Sequence, residues 1–276
     1  MEVLSAPYPA PWLGRDAMMS RLVRWWRDRS AARALARYPQ TAWDQAWSGL
    51  PLLAGLAAAD AAELRALAAR FLDRKAIEEV DGIRLTAPER LTIALQASLP
   101  ILRLGLDWYR GWYTVIVYPD EFVPEREWMD KDGVVWVARE VKSGEAWQQG
   151  PVILSWADVA AGTERDGYNV VIHELAHKLD MRSGEANGHP PLHSGMSDTA
   201  WARNLSAAYA DLSRRADRGE ETALDPYGAE SPGEFFAVCS EAFFELPHML
   251  RDEYPEVYAQ LAAFYRQDPA ARLNPA

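Results

Sequence analysis

The sequence predicts an α+β protein, mostly helical, with a small mixed β-sheet and one helix that carries the chemistry. Three observations point there. Residues 168–179 set Val171, Leu175 and Leu179 along one helical stripe, flanked by Ile172 and Ala176, with no Pro or Gly to interrupt it. His173 and His177, two of only five histidines in 276 residues, stand four apart in that stretch. Between residues 112 and 156 the apolar period shifts from helix to strand, in three separate runs.

Composition narrows the function classes. A chain 49% hydrophobic and 25% charged is an ordinary globular protein. Its net charge of −11 argues against a general nucleic-acid binder, which would normally present a basic surface. The lone Cys239 has no internal partner, as in a reducing compartment. No apolar run is long enough for a transmembrane helix, and the N-terminus lacks the apolar region of a signal peptide. A cytoplasmic location is the expectation.

Taken in order, residues 1–16 read as a Pro-rich leader, and residues 17–38 as a basic helix. Leu22, Val23, Trp25 and Trp26 lie among its arginines. They suit a surface helix for a membrane or partner, although basic helical runs are more often solvated faces or tails. Met18 and Met19 are alternative starts. The expected division is a leader over 1–40 and a single domain over 41–276. Residues 41–56 read as short helix and loop. A helix follows, with Asp60 as N-cap and Leu64, Leu67, Phe71 and Leu72 as its stripe. Residues 77–85, with Asp81-Gly82 at the centre, read as a hairpin. A buried helix is expected from Pro88 to Leu104, kinked at Pro100.

Residues 113–118, 133–138 and 152–156 are the three strands, expected in one sheet. The third leads by a short connection into the histidine helix. Residues 150–156 are the candidate edge against which a peptide backbone would pair. After that helix, residues 182–197 form a loop holding His189 and His193, with Pro190-Pro191 between them ruling out a helical metal pair. Residues 199–216 are helical and 224–228 a turn. Ser231 and Pro232 are the N-cap and first residue of a helix that ends before Pro247. Residues 255–267 form the last helix and 268–276 a tail.

The order His173-Glu174-Leu175-Ala176-His177 has a mechanical meaning. Residues i and i+4 share a helix face, so both imidazoles reach one metal ion. Glu174, rotated by about 100°, lies beside the metal's water, where a general base is needed. This is the H-E-x-x-H signature of zinc peptidases. A hydrolase needs a third protein ligand and an open position. A third histidine in the extended H-E-x-x-H-x-x-G-x-x-H pattern is excluded, since Asp180 and Ser183 stand at its Gly and His positions. Carboxylates remain: Glu234, Glu241 and Glu245 on the helix from Pro232, amid Phe235, Phe236, Phe243 and Phe244. Glu234 and Glu241 are two turns apart on nearly one face, so one could ligate and the other hold a histidine Nδ1–H. A solvent-facing stripe explains the pattern almost as well.

The runs 169–180, 147–151 and 234–241 together resemble the Mlc titration factor A family, over about residues 43–273. The resemblance implies a cytosolic zinc-dependent peptidase of aminopeptidase type with one Zn2+, and a zincin-like fold related to the catalytic domain of anthrax lethal factor. It implies His173, His177 and Glu234 as ligands, Glu174 as the base, and Tyr227 as a tyrosine near the metal. Position within the helix agrees with Glu234, which lies in the first turn beside the Tyr227 turn. The expected partner is a peptide or protein substrate. Family members also bind the glucose-responsive repressor Mlc, so sequestration of a transcriptional repressor is the alternative role. The chain departs from the family before Trp43 and over residues 188–196.

Overall fold

The computed structural model describes residues 34–120, 125–129, 135–139, 144–146 and 150–274. The leader and most of the basic helix, residues 1–33, lie outside the described residues, as do Trp147, Gln148 and Gln149.

Helices α1 (Gln40–Ser48) and α2 (Ala58–Arg74) open the described chain. The α2 stripe buries Leu64, Leu67 and Phe71, as their spacing predicts. Its N-cap is Ala57 rather than Asp60. Asp60 falls inside the first turn, where its charge suits the helix dipole and meets Arg103 at 2.7 Å. Strand β1 (Ala76–Glu79) follows, then α3 (Ala87–Ser98). The expected hairpin over 77–85 is not formed. Residues 76–79 pair in parallel with a distant strand, and Asp81 and Gly82, both at positive φ, turn the chain into α3. The Glu89 carboxylate accepts the Thr86 N–H at 2.6 Å to cap α3. Pro100 does not kink α3. The helix stops at Ser98, because proline cannot supply the next N–H and crowds the preceding turn.

The main sheet has the order β1-β2-β6-β5, with β2 at Thr114–Tyr118, β5 at Gly144–Ala146 and β6 at Val152–Ser155. β1, β2 and β6 are parallel and β5 is antiparallel, which makes the sheet mixed. Val115, Val117, Val152 and Leu154 alternate onto its buried face. Two expectations fail here. Residues 135–139 (β4) pair with 125–129 (β3) in a separate hairpin rather than joining the sheet. And β6 is interior, so β5 takes the edge. Alternation identifies a strand but not its neighbour, which is set by distant pairing.

A further helix, α4 (Trp156–Ala161), lies between β6 and the histidine helix α5 (Val170–Asp180), so that connection is longer than expected. Then come α6 (Asp198–Asp217), α7 (Pro232–Glu245), α8 (Pro247–Glu253) and α9 (Pro255–Tyr265). Pro247, expected only to end α7, also starts α8, since proline fits the first position of a helix. The tail is not loose. Pro269, Ala270 and Leu273 are buried, and Arg272 donates to the Leu52 and Ala54 carbonyls at 2.7 Å. Gly55, at φ +72°, admits this contact, since a Cβ there would collide with the Arg272 carbonyl. No helix among the described residues is long and apolar enough to cross a membrane.

Candidate metal centre

Helix α5 is buried along its whole length, an unusual setting for His173, Glu174, His177, Lys178 and Asp180. Each of these polar groups needs a partner to offset its desolvation. The helix starts at Asn169, whose side chain caps it by accepting the Ile172 N–H at 3.0 Å. Asn169 also joins α5 to α7, donating its backbone N–H to Glu241 and its Nδ2 to Glu245 Oε1 at 2.9 Å.

Helix α7 starts as its sequence predicts, with Ser231 Oγ accepting the Glu234 N–H at 3.2 Å and Pro232 at the first position. This places Glu234 in the first turn. A loop from the end of α5 supports that turn. The Asp180 carboxylate accepts the N–H groups of Gly188 and His189 at 2.7 and 2.9 Å. Gly188, at φ +75°, lies so close that a Cβ would strike the Pro232 carbonyl.

Three side chains converge between α5 and α7. Glu234 Oε2 lies 3.0 Å from His173 Nε2 and 3.3 Å from His177 Nε2, and the two nitrogens are 3.2 Å apart. Among the described residues this is the trio able to hold a metal ion. The separations fit one: ligands at about 2.0–2.1 Å from a tetrahedral zinc stand about 3.3 Å from each other. On its far side the His173 ring turns Nδ1 to Glu241 Oε1 at 2.8 Å. With the proton on Nδ1, the Nε2 lone pair points into the cluster.

The electrostatics agree. Without an ion, a proton on the imidazole Nε2 takes the place of the lone pair: burial alone would raise the Glu234 carboxyl, but hydrogen bonds from His173 and His177 then hold it well below the usual carboxylate range. Burial disfavours the His173 cation, yet Glu241 and then Glu234 outweigh it and raise the imidazole well above its ordinary value. Burial pushes Glu241 up, against the pull of His173. Two carboxylates facing one imidazole call for positive charge between them, which a proton or a dication supplies.

The other residues singled out in the sequence are placed as follows. Glu174 is buried on α5 between the two histidines. Tyr227 sits in the 3-10 turn Pro226–Ala229, 43% exposed, with its ring 6.0 Å from that of His173. Glu245 is fully buried and bound to Asn169, outside the trio. His193 stacks on Phe264 and contacts its carbonyl at 2.8 Å, and His189 lies by Trp201. Neither joins the metal cluster. Sequence reasoning missed Asn169, Lys178 and Asp180. A signal existed for each, a polar residue in or beside an apolar helical run.

Residues 23–266 match the family described as glucose-regulated metallo-peptidase M90. The chain is 40% identical to Mlc titration factor A of Salmonella arizonae over 92% of its own length and all of the relative's. It is 39% identical to the proteins of that name from Salmonella paratyphi B and Salmonella typhimurium, over 92% of this chain and 95% of each relative. A mixed sheet, a buried H-E-x-x-H helix and a carboxylate from a later helix make the fold zincin-like, and the chain belongs to the glucose-regulated metallo-peptidase M90 family.

Proposed function

We propose that this protein is a cytoplasmic zinc-dependent peptidase of aminopeptidase type, with one Zn2+ held by His173, His177 and Glu234. The observation that carries the reading is the spacing of three ligand atoms 3.0, 3.2 and 3.3 Å apart, as one tetrahedral ion requires. When bound, zinc supplies an activated water and a Lewis acid for the scissile carbonyl. Glu174, next to His173 and off the ligand face, takes the water's proton and delivers it to the leaving amine. Tyr227, exposed at the cluster, donates its phenolic hydrogen to the developing oxyanion. Glu241 fixes the His173 tautomer and ring plane. We read residues 41–276 as one catalytic unit with the basic segment 1–40 appended.

The relatives' name supports a second role, binding of a repressor such as Mlc, which would not require turnover. The substitution Glu174→Gln separates the two. It should retain zinc and any partner binding while lowering peptide hydrolysis by about 10²–10⁴-fold. Near-normal turnover in that variant would rule out Glu174 as the base.

A further inference from the structure

Helix α1 and the first turns of α2 border a groove of about 940 Å³ that shares no lining residue with the metal centre. The buried Trp43 and Leu53 and the half-buried Trp47 and Leu56 line it. From α2 come Ala58, Ala61 and Ala62, on a different face from the core stripe of Leu64, Leu67 and Phe71. Side chains this small let a second helix approach closely. The polar lining side chains among the described residues, indoles aside, are Tyr38, Gln40 and Arg65, and the Arg65 guanidinium already lies 4.9 Å from the Trp47 ring centre. A small polar ligand would find few groups to orient it here. The apolar face of an amphipathic helix suits such a groove better.

The chain itself supplies one. The described residues open at Ala34, and Leu35, Ala36 and Tyr38, next in line, are part of the groove lining. Trp43 Nε1 donates to the Leu35 carbonyl at 3.4 Å and its ring meets Tyr38 edge to face, which fixes the entering chain at the groove. Just upstream, at 100° per helical residue, Met18, Met19, Leu22, Val23, Trp25 and Trp26 fall on one arc of about 160°, with Arg21, Arg24 and Arg27 opposite. A face holding two tryptophans calls for cover. From Trp26 to Leu35 the chain reaches at most about 30 Å, so groove and face meet at high effective concentration. Charge favours the return: residues 1–33 are net +3 and the other 243 carry −14. The exposed Asp44 carboxylate stands at the groove, 2.7 Å from Gln40 Nε2 and 3.5 Å from Arg65. The family match opens at residue 23, so Trp25 and Trp26 fall inside the matched domain.

We propose that residues 18–28 form an amphipathic helix that docks in cis into the α1–α2 groove, with Leu22, Trp25 and Trp26 against the alanines of α2. The basic segment is then a packed element of the domain and not a free arm. While docked, its apolar face is closed to membranes and to other chains. The inference stands apart from the peptidase reading and holds whether or not the protein turns over a substrate.

Hydrogen–deuterium exchange of the full-length protein tests it. A helix this short is marginal on its own in water, so slow exchange there reports docking. In wild type, residues 20–28 should exchange at least about a hundredfold more slowly than unstructured chain, unaltered by about tenfold dilution. Trp25→Ser combined with Trp26→Ser should remove that protection and speed exchange over residues 58–66 about tenfold, with α5 and α7 unchanged. Ala61→Arg, which fills the groove and repels the arginines, should do the same from the other side, so a folding defect in one variant leaves the other to decide. Exchange over 20–28 at the unstructured rate in wild type overturns the docking. Protection that survives either variant places the segment elsewhere and overturns it too. Protection lost on dilution would make the contact one between copies, and protection that needs phosphatidylserine vesicles would make the segment a membrane anchor; both contradict docking in cis.

Discussion

The two ends of α7 carry the same residue type in opposite conditions. At the first turn, the Glu234 side chain is 23% exposed, faces two imidazoles and is held well below the usual carboxylate range. Two and three turns on, Glu241 and Glu245 are sealed in the core, and burial pushes both upward, Glu245 to about 8. A ligand must be ionised and reachable from the cleft, which the first turn provides. The deeper carboxylates serve best by accepting hydrogen bonds, Glu241 from His173 and both from Asn169. Burial rather than residue type divides the roles along this helix.

The sharpest way to break the comparison is Glu234→Ala. It should abolish hydrolysis and leave the protein without tightly bound zinc in metal analysis, because two imidazoles alone make a poor site. Glu241→Ala should be milder, weakening zinc affinity by about 10–100-fold as loss of a histidine's supporting carboxylate does. Equal loss in both variants would mean that the two ends of α7 are not distinct.

The smallest effect concerns Glu245. In the unfolded chain its carboxyl ionises near about 4.3, whereas burial, aided by repulsion from Glu241 and Asp166, keeps it protonated up to about 8 in the fold. The folded state then binds more protons across that window. Its contribution to stability is present below the unfolded pKa and declines as pH rises through the folded one. Glu245→Gln, neutral throughout, removes this slope, so its Tm should gain on wild type between about pH 5 and about pH 9. Parallel Tm curves would show that Glu245 is already ionised in the fold.

How much of this could be read in advance follows from range. His173, Glu174 and His177 lie within one helical turn, where i and i+4 fix a shared face, and Ser231-Pro232 marks a helix start locally. The mostly helical α+β class was legible for the same reason, whereas the mixed pairing of the sheet depends on distant strands. The choice of Glu234 over Glu241 rests on its first-turn position and on the family resemblance, since seven residues bring both to nearly one face and their difference in burial emerges only when α7 packs. The sheet edge was misread because β5 is three residues long and its place depends on pairing with β6. The docking of the tail was not legible because it depends on Arg272 reaching residues more than 200 positions earlier.

The central claim is that one zinc ion sits at the first turn of α7 and not deeper. Anomalous diffraction at the zinc edge from crystals of the zinc-loaded protein tests it most directly. The account predicts a single strong peak at about 2.0–2.2 Å from His173 Nε2, His177 Nε2 and a Glu234 oxygen, with Glu241 remaining on His173 Nδ1. A peak bonded to Glu241 with Glu234 turned to solvent, or no peak between the two histidines, would contradict it.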